Sequence, residues 1–171
     1  MTFKITKSYA ESEEAYKSFV ILKANYYGEE SESLIFALKN LAVVQSLLKK
    51  VPEAIQNSER AVVIINKLLD SGKMTDKIEF KKLAMEVIFM LISVYEGSKK
   101  LNSDSFTQEK SDEYERTFKR LVDGENTPQF AYFQFLKARQ MMLNLEPNQE
   151  LSLQAVQKAI DIQSEIEKDV T

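Results

Sequence analysis

The sequence predicts an all-α protein in which antiparallel helix hairpins stack one on the next into a solenoid of about seven helices. The composition, 44% hydrophobic and 29% charged, is that of a folded chain rather than a disordered one. Only 4 Gly and 3 Pro interrupt 171 residues, too few for a fold of many short strands and turns. Hydrophobic residues instead recur at spacings of three and four, which is typical of one face of a helix.

Proline, glycine and capping residues mark the ends of these helices. A proline is tolerated in the first turn of a helix, and a glycine is favoured just after the last turn. The prolines are Pro52, Pro128 and Pro147, and the glycines that follow hydrophobic segments are Gly28, Gly72 and Gly124. Ser8 and Ser105, each followed three residues later by Glu or Gln, resemble capping boxes. The predicted helices span 8–27, 31–50, 52–70, 76–98, 105–123, 128–144 and 148–168.

The second and third predicted helices carry small residues at positions where two helices would touch closely. The pattern runs Leu38, Leu41 and Ala42 in the second helix, then Ala54, Ser58 and Ala61 in the third. It resembles the tetratricopeptide repeat, in which one hairpin of helices stacks on the next. Ala42 stands in place of the usual Gly, whereas Gln45 replaces the usual Tyr and Ser58 replaces the usual aromatic residue.

The rest of the chain carries weaker forms of the same pattern. They are Ala15 with Phe19 in the first helix, Ile88, Leu91, Ile92 and Tyr95 in the fourth, and Ser152, Val156 and Ala159 in the last. The long first helix and the residues after it resemble the kinesin-light-chain type of repeat. This resemblance implies one domain over residues 1–171, with the first helix an unpaired half-repeat and the last helix a C-terminal cap. A single helical bundle is the alternative fold.

The second helix is hydrophobic on two faces. Its packing face is predicted to hold Leu34, Leu38, Leu41, Ala42, Gln45 and Leu48. Its second face holds Phe36, Asn40, Val43 and Leu47. Because a helix that is hydrophobic on two faces is either covered on both or presents a binding surface, we expect the second face to bind a partner.

The resemblance gives these residues individual roles. In the repeat family, the residue at the position of Asn40 points into the groove lined by the first helices and hydrogen-bonds the backbone of a bound peptide. An amide suits that role because it both donates and accepts. Phe36, Val43 and Leu47 would supply hydrophobic contact beside Asn40. On the fourth helix the surface would continue over Phe89, Met90 and Ser93.

The composition argues against several kinds of chemistry. Without Cys or His, the chain has no thiolate or imidazole for catalysis or for zinc binding. The net charge of -3 and the pI of about 5.3 argue against nucleic acid as a partner. No two glycines lie close enough for a phosphate-binding loop. Nothing in the sequence indicates that the acidic runs 11–14 and 29–32, at predicted helix starts, are buried. We therefore expect no catalysis, no metal and no cofactor.

No segment is hydrophobic over the length of a membrane span, and the N-terminus lacks the hydrophobic run of a signal peptide, so we expect a soluble cytoplasmic protein. Its expected function is that of a non-catalytic protein–protein interaction scaffold, which binds a peptide segment or a partner subunit in a concave helical groove. The alternatives are a structural subunit built permanently into a large assembly and a peptide-sensing regulatory protein. The wide hydrophobic stripe of the last helix also allows self-association, whereas the aromatic residues of the sixth helix are expected in the core.

Overall fold

A computed structural model describes residues 2–98, 107–142 and 149–169 of the chain. Over these residues the chain forms seven α-helices and no β-strand, which confirms the predicted all-α class. The helices are α1 (Thr2–Tyr27), α2 (Glu32–Leu47), α3 (Val51–Ser71), α4 (Lys77–Ser98), α5 (Gln108–Leu121), α6 (Pro128–Met142) and α7 (Gln149–Asp169).

Most predicted helix ends agree with the structure. Gly28 and Gly72 follow α1 and α3 with φ of +88° and +66°, a backbone conformation that favours glycine. Their N–H groups donate to the carbonyl oxygens of Ala24 and Leu68, each at 2.9 Å. The predicted prolines lie in the first turns of α3 and α6, whereas Pro147 lies outside the described residues. These local signals therefore mark the end of α1 and both ends of α3.

Two predicted helix starts are different in the structure. α1 begins at Thr2, so Ser8 lies inside the helix, where its carbonyl oxygen accepts from the Ser12 hydroxyl at 2.8 Å. The predicted capping box at Ser8 is therefore wrong, because no Gly or Pro stops the helix from extending further towards the N-terminus. α5 is capped by Thr107, whose hydroxyl accepts from the N–H of Lys110 at 3.3 Å. Ser105 lies outside the described residues.

The chain divides into two compact units, Met1–Gly97 and Ser98–Thr171. In the first unit, α2 packs against both α1 and α3. Lys39 of α2 forms an ion pair with Glu86 of α4 at 2.6 Å, and the Tyr95 hydroxyl of α4 donates to Glu59 of α3 at 2.5 Å. α4 thus contacts both helices of the hairpin. In the second unit, α6 packs against α5 and α7.

The small residues of the second and third helices lie where the sequence predicts close contact. The side chains of Ala42, Ala54 and Ala61 are fully buried, and the predicted packing face of α2 is buried except for Leu48, which is half-buried. Ala15 of α1, by contrast, is exposed, so its predicted match to a small packing position is wrong. The buried side of α1 includes Val20 instead.

Gln45, which departs from the repeat pattern, belongs to a buried polar network that joins three helices. The Glu13 carboxylate of α1, whose side chain is 4% exposed, accepts from the Lys50 ammonium at 2.6 Å. Gln45 Nε2 lies 3.5 Å from the same carboxylate, and Gln45 Oε1 accepts from Asn57 of α3 at 2.8 Å. Gln45 uses two separate atoms for these contacts, whereas a tyrosine at this position would have to donate and accept through a single hydroxyl oxygen.

The network also determines the protonation of Glu13. The hydrogen bond from Lys50 holds the pKa of Glu13 below its ordinary value, and the charge of Lys17 acts in the same direction, although burial opposes them. The sequence places the run 11–14 at a helix start and gives no sign that any of it is buried. Instead, Glu13 lies inside α1 and is buried, because the ammonium group of Lys50 compensates for its lost hydration.

The buried alanines give a test of helix packing. We expect Ala61→Leu to lower the free energy of unfolding by about 1–3 kcal/mol, because Ala61 is fully buried and the added atoms must displace its neighbours. Ala15→Leu, at an exposed position of α1, is the matched control and should change it by less than about 0.5 kcal/mol. Urea unfolding followed by circular dichroism measures both. Equal effects of the two substitutions would contradict close packing at Ala61.

Glu13 gives a test in pH. The pKa of Glu13 is lower in the folded protein than in the unfolded chain. The stability that its charged carboxylate gives to the fold is therefore complete above pH 4.5 and is lost as the pH falls through the folded pKa. We expect Glu13→Gln to reduce stability at neutral pH by about 1–2 kcal/mol, since Lys50 loses its charged partner. The difference from the unmodified protein should vanish in acid. Glu11→Gln, at an exposed position of the same helix, is the control; a similar pH dependence there would argue against the network.

Candidate protein-binding surfaces

The second face of α2 is exposed. Phe36, Val43 and Leu47 are 47%, 40% and 51% exposed, although the residues on either side of this stripe are largely buried. α1 and α3 cover the rest of the helix, which leaves a narrow hydrophobic strip along one side of the hairpin. We call these three residues and Asn40 the α2 surface.

Asn40 lies within this strip and is half-buried. It is four residues after Phe36 and three before Val43, so the three side chains project from the same side of the helix. An amide at this place can donate and accept at once, and hydrophobic side chains stand on both sides of it. The α2 surface therefore has the chemistry needed to hold an extended backbone.

The neighbouring helix α4 gives weaker support. Phe89 and Met90 are half-buried, and the exposed Ser93 donates its hydroxyl to the carbonyl oxygen of Phe89 at 3.0 Å. The ammonium group of Lys39 lies 5.6 Å from the centre of the Phe36 ring while it pairs with Glu86. The α2 surface is thus bordered by an ion pair on the side of α4, and the predicted α4 residues offer little free hydrophobic area.

The second unit holds a polar cavity of about 150 Å³ between α5, α6 and α7, with Glu115, Lys137 and Lys158 among its lining residues. Glu115 accepts from both Lys137 and Gln134. Burial raises the pKa of Glu115, but these hydrogen bonds and the nearby ammonium groups outweigh it, so the pKa is lowered overall. Glu115 of α5 is therefore ionised and pairs with Lys137 of α6. The sequence did not reveal this pair because Lys137 lies 22 residues from Glu115.

The prediction that the aromatic residues of the sixth helix lie in the core is right for Phe130 and Phe133 and wrong for Tyr132 and Phe135. Phe130 and Phe133 are buried beside Phe118 of α5: the Phe133 ring stacks on the Phe118 ring with centres 4.7 Å apart, and the Phe130 ring is tilted against it with centres 6.2 Å apart. Tyr132 and Phe135 are instead about half exposed, and Met141 and Met142 are not described beyond their backbone. The aromatic residues of α6 therefore divide between the core and the surface.

A hydrophobic groove of about 460 Å³ lies between α6 and α7. Its lining residues are Pro128, Ala131, Tyr132, Phe135, Val156, Ala159, Ile160, Gln163 and Ser164. Ile160 and, beyond the groove, Leu153 are 52% and 69% exposed. We call this feature the α6–α7 groove. The outer side of the last helix is therefore more hydrophobic than the polar outer face that caps a repeat array.

Other kinds of site were sought in the part of the chain that the structure describes. No three acidic side chains converge there as ligands for a metal ion. None of its helices is long and hydrophobic enough to cross a membrane. Comparison with protein-family models, curated proteins and solved structures finds no significant match for the chain.

Proposed function

We propose that the protein is a non-catalytic protein–protein interaction module, related in design to tetratricopeptide-repeat scaffolds, that binds a peptide segment of a partner on the α2 surface. One observation carries the proposal: α2 is packed on its other sides, yet it exposes Phe36, Val43 and Leu47 in a row. Exposed hydrophobic side chains that share one face of a well-packed helix are typical of interaction sites.

The chemistry of the α2 surface indicates the kind of ligand. Its hydrophobic side chains suit a ligand with two or three hydrophobic side chains, and Asn40 suits a backbone amide between them. The charged neighbour Lys39 is already neutralised by Glu86, so no strong charge is demanded of the ligand. The ligand class is therefore an extended, largely uncharged peptide.

A second candidate function is self-association through the C-terminal helix. The exposed Leu153 and Ile160 on α7 favour it, because isolated monomers rarely expose several large hydrophobic side chains together. This surface belongs to the second unit, whereas the α2 surface belongs to the first.

Selection from a random peptide library displayed on phage, followed by fluorescence polarisation with a selected peptide, tests the first proposal. We expect Val43→Glu to weaken binding at least tenfold, because it places a charge in the hydrophobic strip. Asn40→Ala removes one or two hydrogen bonds and should weaken it by roughly five- to tenfold. The control Val63→Glu changes a valine of α3 that is also about half exposed, and it should leave binding unchanged.

Two results would contradict the proposal. One is that no peptide can be selected by the folded protein. The other is that Val43→Glu and Val63→Glu bind the selected peptide equally well, while circular dichroism shows both variants folded.

A further inference from the structure

The order of the helices around α2 places α1 along one edge of the α2 surface. In a view down α2 from its N-terminus, residues advance clockwise by about 100° each. Clockwise from Phe36 come the buried Ala37, then Gln45, then Lys39. Gln45 contacts both α1 and α3, and Lys39 pairs with α4, which also contacts α3. α3 and α4 therefore cover the arc from Gln45 to Lys39, and α1 covers the arc from Ala37 to Gln45.

The same geometry identifies the residues of α1 at this edge. α1 runs antiparallel to α2, because a short turn joins the two helices and Glu13 contacts α2 far from that turn. The residues of α1 therefore advance counterclockwise in the same view. The side of α1 that buries Val20 faces α2, so the edge that flanks the α2 surface lies about 60° clockwise from Val20. Lys23 lies at this edge, with Phe19 and Tyr27 one turn before and after it.

Lys23 makes no ion pair with any carboxylate of the residues that the structure describes. Its ammonium group lies 4.9 Å from the centre of the Phe19 ring and 4.6 Å from the centre of the Tyr27 ring, and the side chain is half-buried. A partly buried charge is screened less by water and salt than a fully exposed one. Lys23 is therefore expected to attract an anion more strongly than an ordinary surface lysine does.

The acidic residues in the turn between α1 and α2 do not neutralise Lys23, because each is engaged by α3 or by the residues after it. The contacts are Glu29 with Arg60 at 2.5 Å, Glu30 with Lys67 at 2.7 Å and Glu32 with the N–H of Thr75 at 2.7 Å. α3 covers a side of α2 that does not border the α2 surface. These carboxylates are therefore held away from the edge that α1 shares with that surface.

Asn40 is a second polar group without a partner. Its half-buried amide makes no hydrogen bond within the part of the chain that the structure describes. Asn40 lies about 40° clockwise from Phe36, which is the α1 side of the strip. The contacts of Glu13 place Lys23 level with residues 35–40 of α2. The Lys23 ammonium and the Asn40 amide therefore flank the same stretch of the seam between α1 and α2.

We propose that the peptide bound on the α2 surface carries one acidic side chain, an aspartate or a glutamate, whose carboxylate lies between Lys23 and Asn40. An ammonium group and an amide N–H both donate hydrogen bonds to a carboxylate, and the charge of the ammonium strengthens its bond. The proposal rests on the proposed function and adds one charge to its ligand. The hydrophobic strip demands no charge of the peptide, whereas Lys23 demands a negative one at the α1 edge.

Peptides selected from the random phage library, and then synthesised with acetylated and amidated ends, test this proposal. The blocked ends leave side chains as the only source of a carboxylate. We expect the selected sequences to share one Asp or Glu beside their hydrophobic residues. Replacing that residue by Asn or Gln should weaken binding about fivefold in fluorescence polarisation, and Lys23→Gln should weaken binding of the acidic peptide to the same extent. The control Lys67→Gln removes a lysine of α3 and should leave binding unchanged.

Reversal of charge separates a direct contact from an effect on the fold. Lys23→Glu should weaken binding of the acidic peptide at least tenfold, and a peptide with Lys in place of its acidic residue should bind Lys23→Glu more tightly than it binds the unmodified protein. Raising NaCl from about 50 mM to about 500 mM should weaken the acidic peptide about threefold on the unmodified protein and hardly at all on Lys23→Gln. Circular dichroism checks that each variant is folded.

Three results would overturn the proposal. One is that the selected peptides depend on Val43 but carry no acidic residue. Another is that their acidic residue can be replaced without loss of affinity. The third is equal weakening by Lys23→Gln and Lys67→Gln, which would indicate attraction by the overall charge. Each of these leaves peptide binding on the α2 surface intact, whereas failure to select any peptide contradicts the proposed function itself and this proposal with it.

Discussion

Close packing of α2 on several sides is the constraint on which the first unit depends. Ala42, Ala54 and Ala61 have no side chain beyond Cβ, so α2 and α3 can approach closely, and their other hydrophobic residues then become buried. With α1 on another side and α4 held by Lys39, α2 keeps only one narrow strip exposed. The position of the α2 surface is therefore a consequence of packing: it is the part of the helix that no neighbour covers.

Buried charged groups also restrict how the packed helices align along one another. The Glu13 carboxylate would destabilise the fold if it were buried without a partner, so α1 gains stability only in a register that brings Glu13 to Lys50 and Gln45. Glu115 and Lys137 impose a similar requirement between α5 and α6. Hydrophobic contacts alone tolerate sliding of one helix along another, whereas these pairs tolerate much less. In both units an ion pair thus fixes how the helices align.

The sequence was sufficient to predict the seven helices and the exposed strip on α2, because both follow from local signals. Gly72 and Pro52 set helix ends through backbone geometry, and the spacing of Phe36, Val43 and Leu47 shows their common face. The network around Glu13 was missed because Glu13 lies 32 residues from Gln45 and 37 residues from Lys50 in the sequence. The start of α1 was misplaced for a different reason: a serine followed by glutamate caps a helix only where the preceding residues are not themselves helical.

The comparison of α3 with α7 shows why exposure is harder to predict than helix position. Ile55 and Leu153 occupy corresponding places in the same local pattern, yet one is buried and the other is exposed. The spacing of residues along either helix does not distinguish them, because burial depends on which other helices pack around each hairpin. A hydrophobic stripe in a repeat-like sequence indicates only that another helix can pack against it. Whether the stripe is buried depends on whether such a helix is present in the fold.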